Sequence, residues 1–233
     1  MKVLVLRAIE DARRTAARLA ERGHQAIVSP AIVFRAIPHT IPDDRFDALI
    51  ATSAHAFVDE PRNSIVSIPL FVVGEKTLEA ARRAGFSGVA ETAPNAVALV
   101  EAIRRNVSAG ARAIYLAGRD RKTEIEDALR PMHDLLTIET YAAERATRLT
   151  LEAAMAARAG TIDVVLHYSR RSAEIYRDVV RAEDLVAHAM RVRHVAISQD
   201  AAAPLRTAGF DVAAADAPDE SSMFETMEKG RKR

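Results

Sequence analysis

The sequence predicts an α/β protein of two parallel-sheet domains, and three observations lead there. Short apolar runs alternate with amphipathic segments from end to end, the grammar of parallel sheets covered on both faces by helices. The chain also repeats itself. FDALIATS, ending at Ser53, returns as IDVVLHYS, ending at Ser169; KVLVLR at 2–7 is echoed by ARAIYLAGR at 111–119, and RRAGFSGVAETAPNAVALVEAI at 82–103 by RTAGFDVAAADAPDESSMFETM at 206–227. Finally, 233 residues, 49% of them apolar and 28% charged, suit two domains of ordinary size, each able to bury a core.

Residues 2–6 read as a short, partly β-branched buried strand, and Arg7 is its first polar follower. From 11 to 22 the small or apolar residues Ala12, Thr15, Ala16, Leu19 and Ala20 recur at helical spacing, and Gly23 is placed to end that helix. QAIVS completes one βαβ unit. FDALIAT continues the pattern, followed by a short helix near 54–59, which Pro61 stops early, and by the strand PLFVVG. After Gly74 come a helix over 77–84 closed by Gly85, the short strand GVAE and a helix over 95–105. The second set comprises AIYLAG, a helix over about 123–133, the extended LLTIETY, a helix near 150–158, VVLHYS, a helix over 172–181, RHVAIS, a helix ending at Gly209, DVAAAD and a last helix over 220–228.

Two extended stretches, SPAIVFRAIP at 29–38 and DLLTIETYAAE at 134–144, hold equivalent places in the repeats, just after each first helix, and read as paired linkers. One domain is therefore expected to be inserted into the other. Residues 39–135 form the inserted unit, 1–29 join 145–233 in a discontinuous one, and 30–38 and 136–144 connect them. Two sequential halves are the alternative, because element order does not fix connectivity. Two narrow linkers would act as a hinge.

Composition narrows the function. A net charge of +1 argues against a dedicated nucleic-acid binder, and the closing KGRKR reads as a solvated terminus. Without cysteine there is no disulfide, thiolate metal site or thiol nucleophile. The apolar run before Arg7 is too short for a signal-peptide core or a membrane span, so a cytoplasmic, non-membrane protein is expected. The seven histidines form no HExxH or other tight ligand cluster, and no GxSxG elbow occurs, which argues against a metal centre or a serine triad. Neither a Walker P-loop nor a GxGxxG fingerprint supports a nucleotide. His167, inside a strand, reads as a packing residue.

In open parallel sheets ligands bind beyond the carboxyl ends of the strands. Thr52 and Ser53 follow one strand, Gly74, Glu75, Lys76 and Thr77 the next, Ser169, Arg170, Arg171 and Ser172 their counterpart, and Ser198 the last. Backbone N–H groups, a helix dipole and hydroxyls together suit a carboxylate or phosphate. For any single serine plain helix capping is the competing reading, weakened by recurrence in both halves. Arg7 and GRDRK at 118–122 bring guanidinium forks to the same edge, although GRDRK also reads as a solvated basic loop. Tyr141, on a linker strand, is placed to donate a phenolic hydrogen bond into the site or to pack between domains.

The order KVLVLR…LAERGH…SP, FDALIATSAHA, VVGEKTLEAARRAGF, NAVALVEAI, YLAGRDRK, IETYAAE, IDVVLHYSRRSAEIY, HVAIS and AGFDV closely resembles the uroporphyrinogen-III synthase family, in its bacterial form, essentially from end to end. No single motif is specific; their order and spacing are. The resemblance implies two flavodoxin-like α/β domains, one inserted into the other and joined by a two-stranded linker. It implies an enzyme that, without a cofactor, cyclises hydroxymethylbilane to uroporphyrinogen III with loss of water and inversion of the last pyrrole ring. Eight substrate carboxylates would match the anion-binding loops. Loss of the hydroxymethyl oxygen leaves a cation conjugated over pyrrole, and ring reversal is thought to pass through a spiro intermediate, so positioning is the protein's main task.

Residue by residue, the resemblance puts the catalytic tyrosine at Tyr141. Substrate binding falls on Arg7, Thr52, Ser53, Gly74, Thr77, Gly118 at the head of GRDRK, Ser169, Ser172 and Ser198, with no metal. Ala8 stands where a proline often follows the arginine, and Gln199, Asp200 and Ala201 lack the threonines that some members carry. An Asp200 facing the substrate would repel a carboxylate. A monomer is implied, with transient hand-off from hydroxymethylbilane synthase. Two other readings stay open: a two-domain binding or regulatory protein that grips a polycarboxylate without converting it, and a sugar-phosphate or nucleotide enzyme on a similar fold.

Overall fold

The structure, a computed structural model, describes residues 1–57 and 65–229. In chain order the strands are β1 (Lys2–Val5), β2 (Gln25–Val28), β3 (Ile32–Ala36), β4 (Ala48–Ala51), β5 (Leu70–Val73), β6 (Val89–Ala93), β7 (Arg112–Gly118), β8 (Asp134–Arg145), β9 (Val164–His167), β10 (Arg193–Ala196) and β11 (Val212–Ala214). The helices are α1 (Ile9–Glu21), α2 (Glu75–Arg83), α3 (Ala96–Asn106), α4 (Glu124–Leu129), α5 (Leu151–Arg158), α6 (Arg170–Ala182), α7 (Val186–Ala189), α8 (Gln199–Thr207) and α9 (Glu220–Lys229), with one 3-10 turn at Ala54–Ala56. The expected end of the helix near 54–59, its stop at Pro61, and KGRKR after Lys229 lie outside the described residues.

Contacts divide the chain into two compact units, Met1–Val33 with Glu144–Arg233, and Phe34–Ala143. The first holds a five-stranded sheet in the order β11-β10-β9-β1-β2, every pair parallel. The second sheet runs β3-β8-β7-β4-β5-β6, parallel from β8 to β6. Set side by side, β1, β2, β9, β10 and β11 correspond in order to β7, β8, β4, β5 and β6. The sequence repeat is therefore a repeat of sheet topology.

Parallel sheets buried on both faces need near-continuous apolar strands, and the core shows why. Val3, Leu4 and Val5 are all fully buried, yet Leu4 joins one cluster with Ile27, Val165 and Tyr176, while Val3 and Val5 join another with Leu19, Leu166 and Phe224. In β7, Ile114 and Leu116 pack with Leu49 and Val72, whereas Ala113 and Tyr115 pack with Ile50, Leu99 and Ile103. The two-residue period of a strand sends successive side chains to opposite helical layers.

Helix ends follow capping and proline chemistry. α6 starts at Arg170, two residues before its expected start, because Ser169 and Ser172 form a reciprocal capping box. α4 stops at Leu129, short of 133, because Pro131 has no N–H with which to continue the ladder. α7, a four-residue helix, has no counterpart among the elements expected from sequence. β8 is a twelve-residue strand, and it pairs with β7 from Arg112↔Asp134 to Gly118↔Tyr141. Among the described residues no helix is long and apolar enough to cross a membrane.

Candidate active site

In the second unit the candidate residues gather at the ends of β4 and β7, beside Tyr141 within β8. Thr52 follows β4, and its hydroxyl lies 3.0 Å from the phenol of Tyr115, a buried residue of β7. Burial pushes the Tyr115 phenol above its ordinary range, and the bond with Thr52 opposes that only in part. Ser53 has extended backbone and caps the 3-10 turn, its Oγ accepting from the His55 N–H at 3.3 Å.

Tyr141 stands opposite Gly118, where the register between β7 and β8 shifts by one residue. A Cβ at Gly118 would come within 2.6 Å of Tyr141 Cζ and 2.8 Å of its hydroxyl, so only a residue without a side chain leaves room for this ring. The Tyr141 carbonyl accepts from the Arg119 N–H at 2.8 Å, and Asp120 accepts from the Ala143 N–H at 3.2 Å. Arg121 donates to the Gly118 carbonyl at 2.8 Å, to Glu126 at 2.8 Å and to Glu139 at 2.9 Å. Burial works against its charge, but the two carboxylates prevail and hold the guanidinium even more firmly protonated. GRDRK is therefore in part a brace for the Tyr141 segment, although the side chains of Arg119, Asp120 and above all Lys122 are exposed.

Gly74, beyond β5, adopts φ 76°, a conformation glycine tolerates, and caps α2. Its N–H donates to the Ala93 carbonyl at 2.9 Å. Thr77 lies in the first turn of α2 with only 4% of its surface exposed, so its hydroxyl is under the helix start rather than at its tip.

In the first unit Arg7 follows β1, but its guanidinium is held by groups of its own unit. It lies 4.4 Å over the Tyr168 ring, donates toward Glu220 at 3.3 Å and Thr15 at 3.4 Å, and pairs with Asp11 at 3.2 Å. Glu220, the first residue of α9, also accepts from the Thr15 and Tyr168 hydroxyls, both at 2.6 Å, and pairs with Arg18. Burial alone would raise the Glu220 carboxyl; those hydroxyls and Arg18 bring it below the usual carboxylate range. Burial, together with the Glu220 bond, pushes the Tyr168 phenol far above its usual range.

Ser169 and Ser172 cap α6, the Ser172 hydroxyl donating to the Ser169 carbonyl at 2.9 Å. Ser198 caps α8 by accepting from the Ala201 N–H at 3.2 Å. Asp200 accepts from Arg170 Nε at 2.8 Å, so its charge is matched by the arginine beside Ser169.

The structure thus brings Thr52, Ser53, Gly118 and Tyr141 together in one unit, and sets Arg7, Ser169, Ser172 and Ser198 along strand ends of the other. Sequence reasoning missed Glu220 and Tyr168, which hold Arg7, and Phe34, His55 and Tyr115, which surround Tyr141 and Thr52. Tyr168 could have been found from its place just before Ser169; Glu220 lies 213 positions from Arg7 and had no local signal. Among the described residues no group of three histidine or carboxylate side chains could hold a metal ion.

The same architecture recurs in solved structures at low identity. Uroporphyrinogen-III synthetase from Helicobacter pylori 26695 superposes with a TM-score of 0.62 at 16% identity, over 99% of each chain. A mutant uroporphyrinogen III synthase from the extremely thermophilic bacterium Thermus thermophilus gives 0.51 at 15% identity, over 98% of each chain. Comparison with curated protein sequences gives no match. The sequence profile of the family described as uroporphyrinogen-III synthase HemD matches residues 13–225, nearly the whole span of both units, and the chain belongs to the uroporphyrinogen-III synthase family.

Proposed function

We propose that this chain cyclises hydroxymethylbilane to uroporphyrinogen III, with Tyr141 assisting departure of the hydroxyl. Family membership across residues 13–225 carries the reaction. The assignment of Tyr141 is supported by its setting: a half-buried phenol fixed against Gly118 at a strand end of the second unit.

The hydroxymethyl C–O bond breaks with its electron pair on oxygen, which takes up a proton and leaves as water. The methylene carbon left behind is a cation conjugated with its pyrrole nitrogen. The α-carbon of the last pyrrole ring that already carries its methylene bridge attacks this cation, giving the spiro intermediate. The bond from that carbon to the old bridge then breaks with its electron pair kept by the last ring, which leaves a second pyrrole-conjugated methylene cation on the neighbouring ring. The free α-carbon of the last ring attacks that cation, and loss of its proton, which balances the one carried off in water, closes the reversed ring. The Tyr141 phenol donates a hydrogen bond to the departing oxygen. The backbone N–H groups that open α6 and α8, with Ser169, Ser172 and Ser198, receive substrate carboxylates, as do the turns after Thr52–Ser53 and at Gly74. Arg7 adds charge while Asp11 and Glu220 hold its orientation. The chain works as a cytoplasmic monomer and takes its substrate from hydroxymethylbilane synthase by transient hand-off; light scattering checks the monomer.

A coupled assay with hydroxymethylbilane synthase tests the reading. Product of the type III isomer supports it, and type I alone, the product of spontaneous closure, overturns it. Tyr141→Phe is expected to lower kcat by more than about tenfold with KM little changed, and a near-normal rate would make Tyr141 a packing residue.

A further inference from the structure

Tyr141 belongs to a cluster of three rings. Phe34, in β3, and His55, in the turn after Ser53, stack with centroids 3.6 Å apart and planes 15° apart. Tyr141 meets both obliquely, 5.9 Å from Phe34 at 58° and 5.8 Å from His55 at 49°. All three side chains are partly exposed, so the cluster sits at the rim of the unit's apolar core, which includes Leu116 and Ile138, and not inside it. Gly118 leaves the space under Tyr141 that keeps its ring in this arrangement.

The electronics suit one kind of guest. An aromatic face is electron-rich and attracts a cation, most effectively one that is weakly hydrated and delocalised. Two carboxylates of this unit, Glu126 and Glu139, are both bound to Arg121, which compensates much of their charge.

We propose that Phe34, His55 and Tyr141 form a receiving wall for the pyrrole-conjugated cation produced when the hydroxyl departs; its ligand class is an electron-rich heteroaromatic ring bearing delocalised positive charge. This rests on the proposed function. Phe34 and His55 supply faces, and Tyr141 supplies both an edge and the hydroxyl. His55 acts through its ring as a flat surface laid on Phe34, not as a proton donor.

The test is single-turnover conversion of hydroxymethylbilane with the chain in excess, following the rate and the ratio of type III to type I product, with KM and kcat taken separately at steady state. Phe34→Leu and His55→Leu remove a face while keeping bulk, and each is expected to slow the chemical step by about tenfold, leave KM within about twofold and raise the type I share. His55→Phe keeps the face and is expected to stay within about twofold of the parent. Thermal unfolding confirms that each variant is folded, and the aromatic replacement Phe34→Tyr stands in for Phe34→Leu if that one is not, with near-parental rate expected and a tenfold loss counting against the wall. If His55→Phe is as slow as His55→Leu, an imidazole nitrogen is acting and the wall is wrong. Parental rates in both leucine variants would make the rings mere packing. A parent chain that yields only type I product would remove the functional reading itself, which is read from the parent alone.

Discussion

Gly118 shows how a residue's chemistry depends on what lies across from it. In the sequence it heads a basic loop and reads as a substrate contact; in the structure its missing side chain is what admits the Tyr141 ring. Its backbone is not in the left-handed region, so alanine is tolerated by the main chain and the clash falls on the movable end of Tyr141. Gly118→Ala is therefore expected to displace the phenol by about an ångström, with a stability cost of about 1 kcal/mol and a fall in kcat of about tenfold. A folded variant at full rate would show that the hydroxyl position is unimportant. Serines were the more legible residues. Ser53, Ser169 and Ser198 each follow a short apolar run, and each Oγ accepts from a backbone N–H, so capping was visible from their place in the chain. Glu220 was not, because its partners are brought to it only by folding.

At the scale of elements, α9 is buried through Met223, Phe224 and Met227, and its first residue adds a polar anchor. Glu220 is 12% exposed and accepts from Tyr168, Thr15, Arg7 and Arg18, which lie in or beside β9, α1 and β1. Removing it leaves two hydroxyls and two guanidinium groups without their common acceptor. Glu220→Ala is expected to destabilise the protein by roughly 2–3 kcal/mol, and Glu220→Gln, which keeps an acceptor oxygen, by less. Urea unfolding measures both, and equal, small losses would mean that the web is solvated and idle. The strands were readable because a sheet buried on both faces demands unbroken apolar runs, as in Val3–Val5 of β1. Helix boundaries were less so. α4 ends early for want of a donor at Pro131, α6 starts early because of its capping box, and the four residues of α7 are too few to show a helical period.

At the scale of the whole molecule, the repeat is a duplicated sheet topology, but the first unit adds to it a contacting pair of buried histidines. His167 and His194 are buried in the first unit, with His167 Nε2 3.0 Å from His194 Nδ1 and His194 Nε2 2.9 Å from the Ala189 carbonyl. One neutral assignment satisfies both contacts: His194 donates to Ala189, and His167 donates to His194. Protonating His194 Nδ1 would set two N–H groups against each other among Tyr176 and Phe210. Burial holds both imidazoles below their ordinary value of 6.5, His167 well below it with His194 as a second cause; for His194 the Ala189 bond offsets the shift only in part. The unfolded chain therefore binds more protons than the folded one once the pH drops through about 6.5. Stability is expected to be level above about pH 7.5 and to fall below 6.5 with a slope of at most ~2.7 kcal/mol per pH unit, until the folded pair itself titrates. The depressed Glu220 carboxyl adds a separate loss as the pH falls below its ordinary value of 4.5. Urea midpoints from pH 8 to 5.5 measure the first limb, and His167→Asn, which keeps a donor toward His194 but removes one titrating ring, should make its slope shallower. A midpoint that stays flat from 7.5 to 5.5 would show that the pair is not held neutral by the fold.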